Sequence, residues 1–153
     1  MSRKRACAFL FANDIRFHSQ LHTPYGLFAS PPFHRVDRSS AVEQIAVAIR
    51  VALEHSRDQR EMPAGGKEFA KAFLAGMGVK SNAQLQRQSL NVGIEQAGDI
   101  AFHPTHNGGS AGDTKGFQTI AGQEVVRVPT DAAPAEITAA LLKAFSLCTS
   151  VYA

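Results

Sequence analysis

The chain has 153 residues, 44% of them hydrophobic, the size of one ordinary domain able to bury a sizeable core. Its formal charge of +3 equals the contribution of Arg3, Lys4 and Arg5, expected to form a mobile basic tail over residues 1–5. The neutral body argues against a basic nucleic-acid face, and no apolar run approaches the roughly 20 residues that span a bilayer.

After Ser2-Arg3-Lys4-Arg5, the apolar run from Ala6 mimics a secretory leader. Asn13-Asp14 breaks it after seven residues and no cleavage site follows, so it reads as a strand. Residues 6–11 and 15–18 flank Asn13-Asp14, which predicts a β-hairpin. Between residues 21 and 38, Pro24, Gly26, Pro31 and Pro32 interrupt any period. With Tyr25, Phe28 and Phe33 among them, the pattern predicts a long packed loop and a candidate contact surface.

Ser40 and Glu43 form the pattern of a capping box, followed by Val42, Ile45, Ala46, Ile49 and Leu53 at helical spacing. Val47 and Val51 fall on the opposite side of that helix, which predicts a cover there, either intramolecular packing or a partner. A second helix over residues 67–75 buries Phe69, Phe73 and Leu74 and ends at Gly76 or Gly78. Ser81 is positioned to cap a short helix through Gln84 and Arg87. Two hairpins follow, residues 90–95 with 100–103 around Gln96-Ala97-Gly98-Asp99, and 117–120 with 124–128 around Ala121-Gly122. Pro134 suits the first turn of a last helix capped by Thr130 or Asp131, with Ile137, Leu141, Phe145, Cys148 and Tyr152 on one face. The fold class that results is α+β in a single domain over 1–153, a mostly antiparallel sheet built from hairpins with about three helices packed on it.

Residues with catalytic chemistry are few. Cys7 and Cys148 fall in predicted core elements, so reduced buried thiols and a cytoplasmic location are expected. His103-Pro104-Thr105-His106 with Asp113 is the one set that offers acid/base or metal chemistry, the basis of an alternative small hydrolase or nuclease. Three-residue spacing on a strand does not align two metal ligands as one helical turn does. The loop Asn107-Gly108-Gly109-Ser110-Ala111-Gly112-Asp113 lacks the Gly-Lys-Ser/Thr of a phosphate loop and leads into a strand, so it is expected to be flexible and exposed.

Ser56-Arg57, then Gly78-Val79-Lys80-Ser81, Leu85, Val92-Gly93-Ile94, Ile100-Ala101-Phe102-His103-Pro104 and Gly116-Phe117 follow one another in an order that resembles the immunity proteins of bacterial contact-dependent growth inhibition (CDI) systems. The resemblance runs over residues 45–120, with Asn82 standing where the family often has a large aromatic. It implies a cytoplasmic, non-catalytic protein that binds the cognate CdiA C-terminal toxin domain one to one. Such toxins are frequently nucleases, often acting on transfer RNA, and inhibition would occlude the active site or block substrate access. No cofactor, metal, membrane or direct nucleic-acid contact is implied. If the toxin site is cationic, exposed acidic and polar groups should face it, and the toxin-binding candidates are Glu54, Asp58, Glu61, Asp99, His106 and Asp113.

Overall fold

Alternation along Lys4–Leu10 (β1) sends Ala6 and Ala8 to one side of the chain and Cys7 and Phe9 to the other, and both sides are apolar. A strand of that kind needs cover on two faces. The computed structural model, which describes residues 3–61 and 65–152, supplies it. The strands are β1, Asp14–Thr23 (β2), Gly26–Asp37 (β3), Arg57–Asp58 (β4), Leu90–Gln96 (β5), Asp99–Asn107 (β6), Phe117–Thr119 (β7), Val126–Pro129 (β8) and Thr149–Ser150 (β9). They form one nine-stranded sheet in the order β3-β2-β1-β5-β6-β7, with β8 also on β6. All pairings are antiparallel except the short β2–β4 and β6–β9 ladders. Helices Val42–Glu54 (α1), Gly66–Met77 (α2), Asn82–Gln88 (α3) and Pro134–Leu147 (α4) complete an α+β fold, as the sequence predicts.

Helices α1 and α4 cover one face. Ile45, Ile49 and Leu53 of α1 and Ile137, Leu141 and Phe145 of α4 pack on Ala6, Ala8, Ile15, Phe17, Val92, Ile94, Ile100 and Phe102. The two helices are tied to each other and to the β8–α4 turn: Thr138 Oγ1 donates to Val42 O at 2.9 Å, and Arg50 donates to Thr130 O and Ala132 O. The other face carries a smaller cluster, Phe9, Phe11, Met77, Val79 and Leu85, under α2 and α3. Helix α2 sits close only because Gly76 has no side chain, since a Cβ there would stand 2.5 Å from the Phe33 ring. Phe69, Phe73 and Leu74 are half-buried, not buried as expected.

Several expectations are corrected. The long loop over residues 21–38 is the second half of a β2–β3 hairpin. Pro31 and Pro32 are accommodated because β3 is an edge strand, where a missing N–H costs no ladder bond, and because they occupy a bulge between the His18–Phe33 and Ser19–Ser30 pairs. Lys4 and Arg5 are not a mobile tail. They open β1 opposite Gln96 and Glu95, and Arg5 Nε lies 3.2 Å from Glu95 Oε2; Met1 and Ser2 lie outside the described residues. β7 and β8 do not pair with each other; both run antiparallel to β6 as one interrupted edge strand, because the ladder to β6 satisfies more backbone than a turn at Ala121-Gly122 would.

Two of the helix starts differ from the sequence expectation. α1 starts at an Ala41 N-cap without a side-chain bond, so Ser40 and Glu43 form no capping box. α4 starts after Ala133, not after a Thr130 or Asp131 cap, and ends at Leu147, leaving Cys148 at its C-cap and Tyr152 exposed beyond it. Ser81 does cap α3, accepting from Gln84 N at 3.1 Å. Cys7 and Cys148 are both free and half-buried.

Candidate functional site

The β6 strand separates the candidate residues into two groups. Its first residue is Asp99, half-buried, with Arg127 Nη1 3.2 Å from Oδ1. That end of the sheet also holds the β2–β3 turn and β4, because Lys4 pairs with Gln96 beside it and β4 pairs with Leu21 and His22. Glu54 closes α1 there, Asp58 lies in β4, Glu61 follows, and all three are exposed. Asp58 Oδ1 stands 3.3 Å from His22 Nδ1. Arg57 is exposed and pairs its backbone with Leu21. The sheet thus gathers Glu54, Asp58, Glu61 and Asp99 at one end.

His106 and Asp113 lie at the far end. His106 is near the close of β6, with Nδ1 2.7 Å from Thr149 Oγ1, and Asp113 is exposed in the following loop. His103 and His106 are an odd number of residues apart on one strand and therefore project to opposite faces. The imidazoles do not share a site. Among the described residues, no three His, Cys, Asp or Glu side chains converge in a metal-binding group. The loop after His106 is closed at its base by Gly108 N to Gly116 O and Gly116 N to Gly109 O, both 2.8 Å, so those amides point inward; Ser110 to Lys115 are exposed.

Two surface recesses flank the outer half of the sheet. One of about 380 Å³ lies between the β2–β3 turn and β4, lined by His22, Thr23, Pro24, Asp58, Gln59 and Arg60. The other, about 620 Å³, runs between the end of β3 and α1, with Val36, Glu43, Gln44 and Val47 in its wall. Val47 is 58% exposed, so no cover exists for it among the described residues, while Val51 is half-buried.

Polar groups that the sequence reading passed over hold these surfaces in place. Asp14 receives Arg16 Nε at 2.8 Å and lies 3.6 Å from Arg35 Nε; Arg16 also stacks 3.7 Å over the Phe11 ring and donates to Met77 O at 2.8 Å. The left-handed Gly78, at φ 71°, follows, and a Cβ there would collide with the Arg35 guanidinium. This explains why glycine precedes Val79-Lys80-Ser81. Ser56 Oγ donates to Gln20 O and accepts from Arg5 N, each at 2.9 Å, fastening the end of α1 to β2 and β1. His18, 3% exposed, is ringed by Phe9, Phe33 and Phe73, with Nδ1 2.7 Å from Ser19 O. Burial pulls its pKa down to about 4 against the opposing backbone bond. Burial pushes the Cys7 thiol up to about 12, with a bond to Asn91 acting the other way, and raises Cys148 too. Neither thiol is a nucleophile near neutral pH. The contacts of Arg16 with Met77 O, of Ser56 with β1 and β2, and of His18 with Phe33 and Phe73 join residues distant in the chain, so no local sequence signal marks them.

Comparison with known proteins follows the same architecture. Among curated proteins, none matches this chain. Two solved structures share its fold over nearly their whole length, each at 16% identity. A chain of the CdiA-CT/CdiI toxin and immunity complex from Yersinia pseudotuberculosis has a TM-score of 0.76, covering 97% of this chain and 99% of that one. The protein of unknown function NMB0488 from Neisseria meningitidis has a TM-score of 0.72, covering 96% of both chains. The family model described as CdiI, CDI immunity protein, matches residues 29–148, from early in β3 to the C-cap of α4. With that match across most of the sheet and all four helices, the chain belongs to the CdiI family of CDI immunity proteins.

Proposed function

We propose that this chain is a non-catalytic immunity protein that binds the C-terminal toxin domain of its cognate CdiA one to one and neutralises it by covering the active site or the path of substrate. The family match over residues 29–148 carries this proposal. The fold shared with a chain of a toxin and immunity complex supports it. The toxin is a nuclease, in the narrower form a tRNase, and the complex forms in the cytoplasm. The chain acts as a single domain and touches neither nucleic acid nor membrane. Separation of His103 and His106 onto opposite faces leaves the hydrolase alternative without an assembled site.

The toxin-facing region we assign is the end of the sheet that carries Glu54, Asp58, Glu61 and Asp99. From β2 to β6 is three strand spacings, roughly 14 Å, which fits within one side of a standard interface of ~1,600 Å². His106 and Asp113 form a second zone, reached by a toxin that spans the length of β6. A nuclease needs a cationic substrate channel, and carboxylates placed opposite it speed encounter and disfavour other partners.

Co-purification with the toxin domain, calorimetry and a toxin activity assay test the proposal. Nanomolar one-to-one binding with loss of toxin activity is the expected result, and no binding overturns it. In the same assay, Glu54→Lys, Asp58→Lys and Glu61→Lys together should weaken binding by about tenfold or more; unchanged affinity would remove that patch.

A further inference from the structure

The tip of the β2–β3 hairpin carries apolar side chains that face away from the fold. By the β1–β2 register, Lys4 lies across from Leu21, so residues beyond Leu21 project past the start of β1. Thr23, almost fully buried, fixes the turn from within: its hydroxyl donates to Gly26 O and accepts from Tyr25 N, both at 3.1 Å. Gly26 at φ 125° completes a bend that a side chain would strain. Outside, Tyr25 is 72% exposed and Leu27 46%, and Pro24 is exposed beside them. Phe28, on the opposite face of β3 from Leu27, is half-buried and edge-on to Phe69 at 5.6 Å.

We infer that this tip is the wedge with which the protein blocks its toxin: Tyr25, flanked by Pro24 and Leu27, enters a cleft of the cognate toxin domain. The inference rests on the function proposed above and locates its centre of affinity. A convex tip suits a concave partner, and substrate sites are concave and apolar-walled. Tyrosine is among the residues that dominate interface energetics, and a turn already fixed by Thr23 loses little freedom on docking. The surroundings select the class of partner. Arg57, Asp58, Arg60 and Glu61 adjoin the tip, all exposed, with the two signs in equal number. Such a rim offers no field to a nucleic acid or an anionic bilayer and complements the mixed rim of a protein cleft. The recess between tip and β4 leaves room for the cleft's lip to fold in beside Pro24 and Asp58.

Calorimetry of the full chain against its cognate toxin domain tests this, with the wild type alongside Tyr25→Ala plus Leu27→Ala and with Tyr25→Phe. The double variant should bind about 30-fold or more weakly, inhibit toxin activity correspondingly less and melt like the wild type, because both side chains lie outside the core. Tyr25→Phe should restore most of the affinity. Failure of the wild type to bind would sink the immunity function itself. A wild type that binds while the double variant stays within about threefold of it would overturn the wedge alone. Sedimentation of the free chain adds one more outcome: a dimer abolished by the double variant, with toxin affinity unchanged, would assign the tip to a second copy and also overturn the wedge.

Discussion

His18 shows how far a residue's chemistry is set by its neighbours. Three phenylalanine rings and the Ser19 carbonyl hold a neutral imidazole inside the fold, with a pKa near 4 in place of 6.5. Between those values the unfolded chain binds a proton that the native state refuses, so His18 makes stability rise with pH across that window. Above it the contribution is flat. The full effect is about 3 kcal/mol, lost as pH falls from about 6.5 to about 4. Urea unfolding at a series of pH values should show that slope, and His18→Phe should flatten it; an equal slope in the variant would refute the assignment. Sequence does not reveal this residue, because a histidine between Phe17 and Ser19 on an alternating strand looks like any surface position until α2 is laid over it. Ser81 and Gly78 were legible, since a cap and a left-handed helix stop depend on neighbours within a few residues.

Elements join through a small number of buried polar side chains. Asn107 is the clearest case. Its Nδ2 donates to Gln86 O and to Ser89 O, while its Oδ1 accepts from Gly109 N at 3.0 Å, so one residue at the end of β6 anchors α3 and the glycine loop together. Asn107→Ala should cost about 3 kcal/mol, since it strands two carbonyls and an amide in a dry site. Denaturant titration gives the value, and a loss below about 1 kcal/mol would mean that water takes over the bonds. At this scale the sequence served unevenly. The β5–β6 hairpin was legible because Gly98, at φ 88°, sits at the turn between two alternating runs. β3 was not, since Pro31 and Pro32 argue against a strand unless the strand is known to lie at an edge. Ala121-Gly122 has the pattern of a hairpin turn between β7 and β8, but strand pairing is decided by β6, which no local turn signal names.

The molecule as a whole is built on two unequal faces. α1 and α4 bury continuous stripes of large side chains, whereas α2 has Met77 as its one buried residue and rests on half-exposed phenylalanines. Local opening should follow that asymmetry. Amide exchange in the middle of α1 and α4 is expected to need global unfolding, while α2 opens at a much lower free energy and exchanges first. Equal protection of α2 and α4 would contradict this picture. This imbalance is not legible in the sequence, because Phe69, Phe73 and Leu74 have the spacing of a buried stripe; their exposure follows from how little of the sheet α2 covers.

The fastening of β1 by Ser56 bears on how the protein is handled at the bench. Arg3 emerges at the end of the sheet that carries Tyr25 and Asp58, while Tyr152 follows β9 at the opposite end, beside His106 and Asn107. An affinity tag or fluorophore joined ahead of Arg3 would stand next to the hairpin tip and compete with anything that docks there. One joined after Tyr152 would stand about one strand length away. A pair of otherwise identical proteins tagged at either end would itself report which approach governs affinity, the one at Tyr25 and Asp58 or the one at His106 and Asp113.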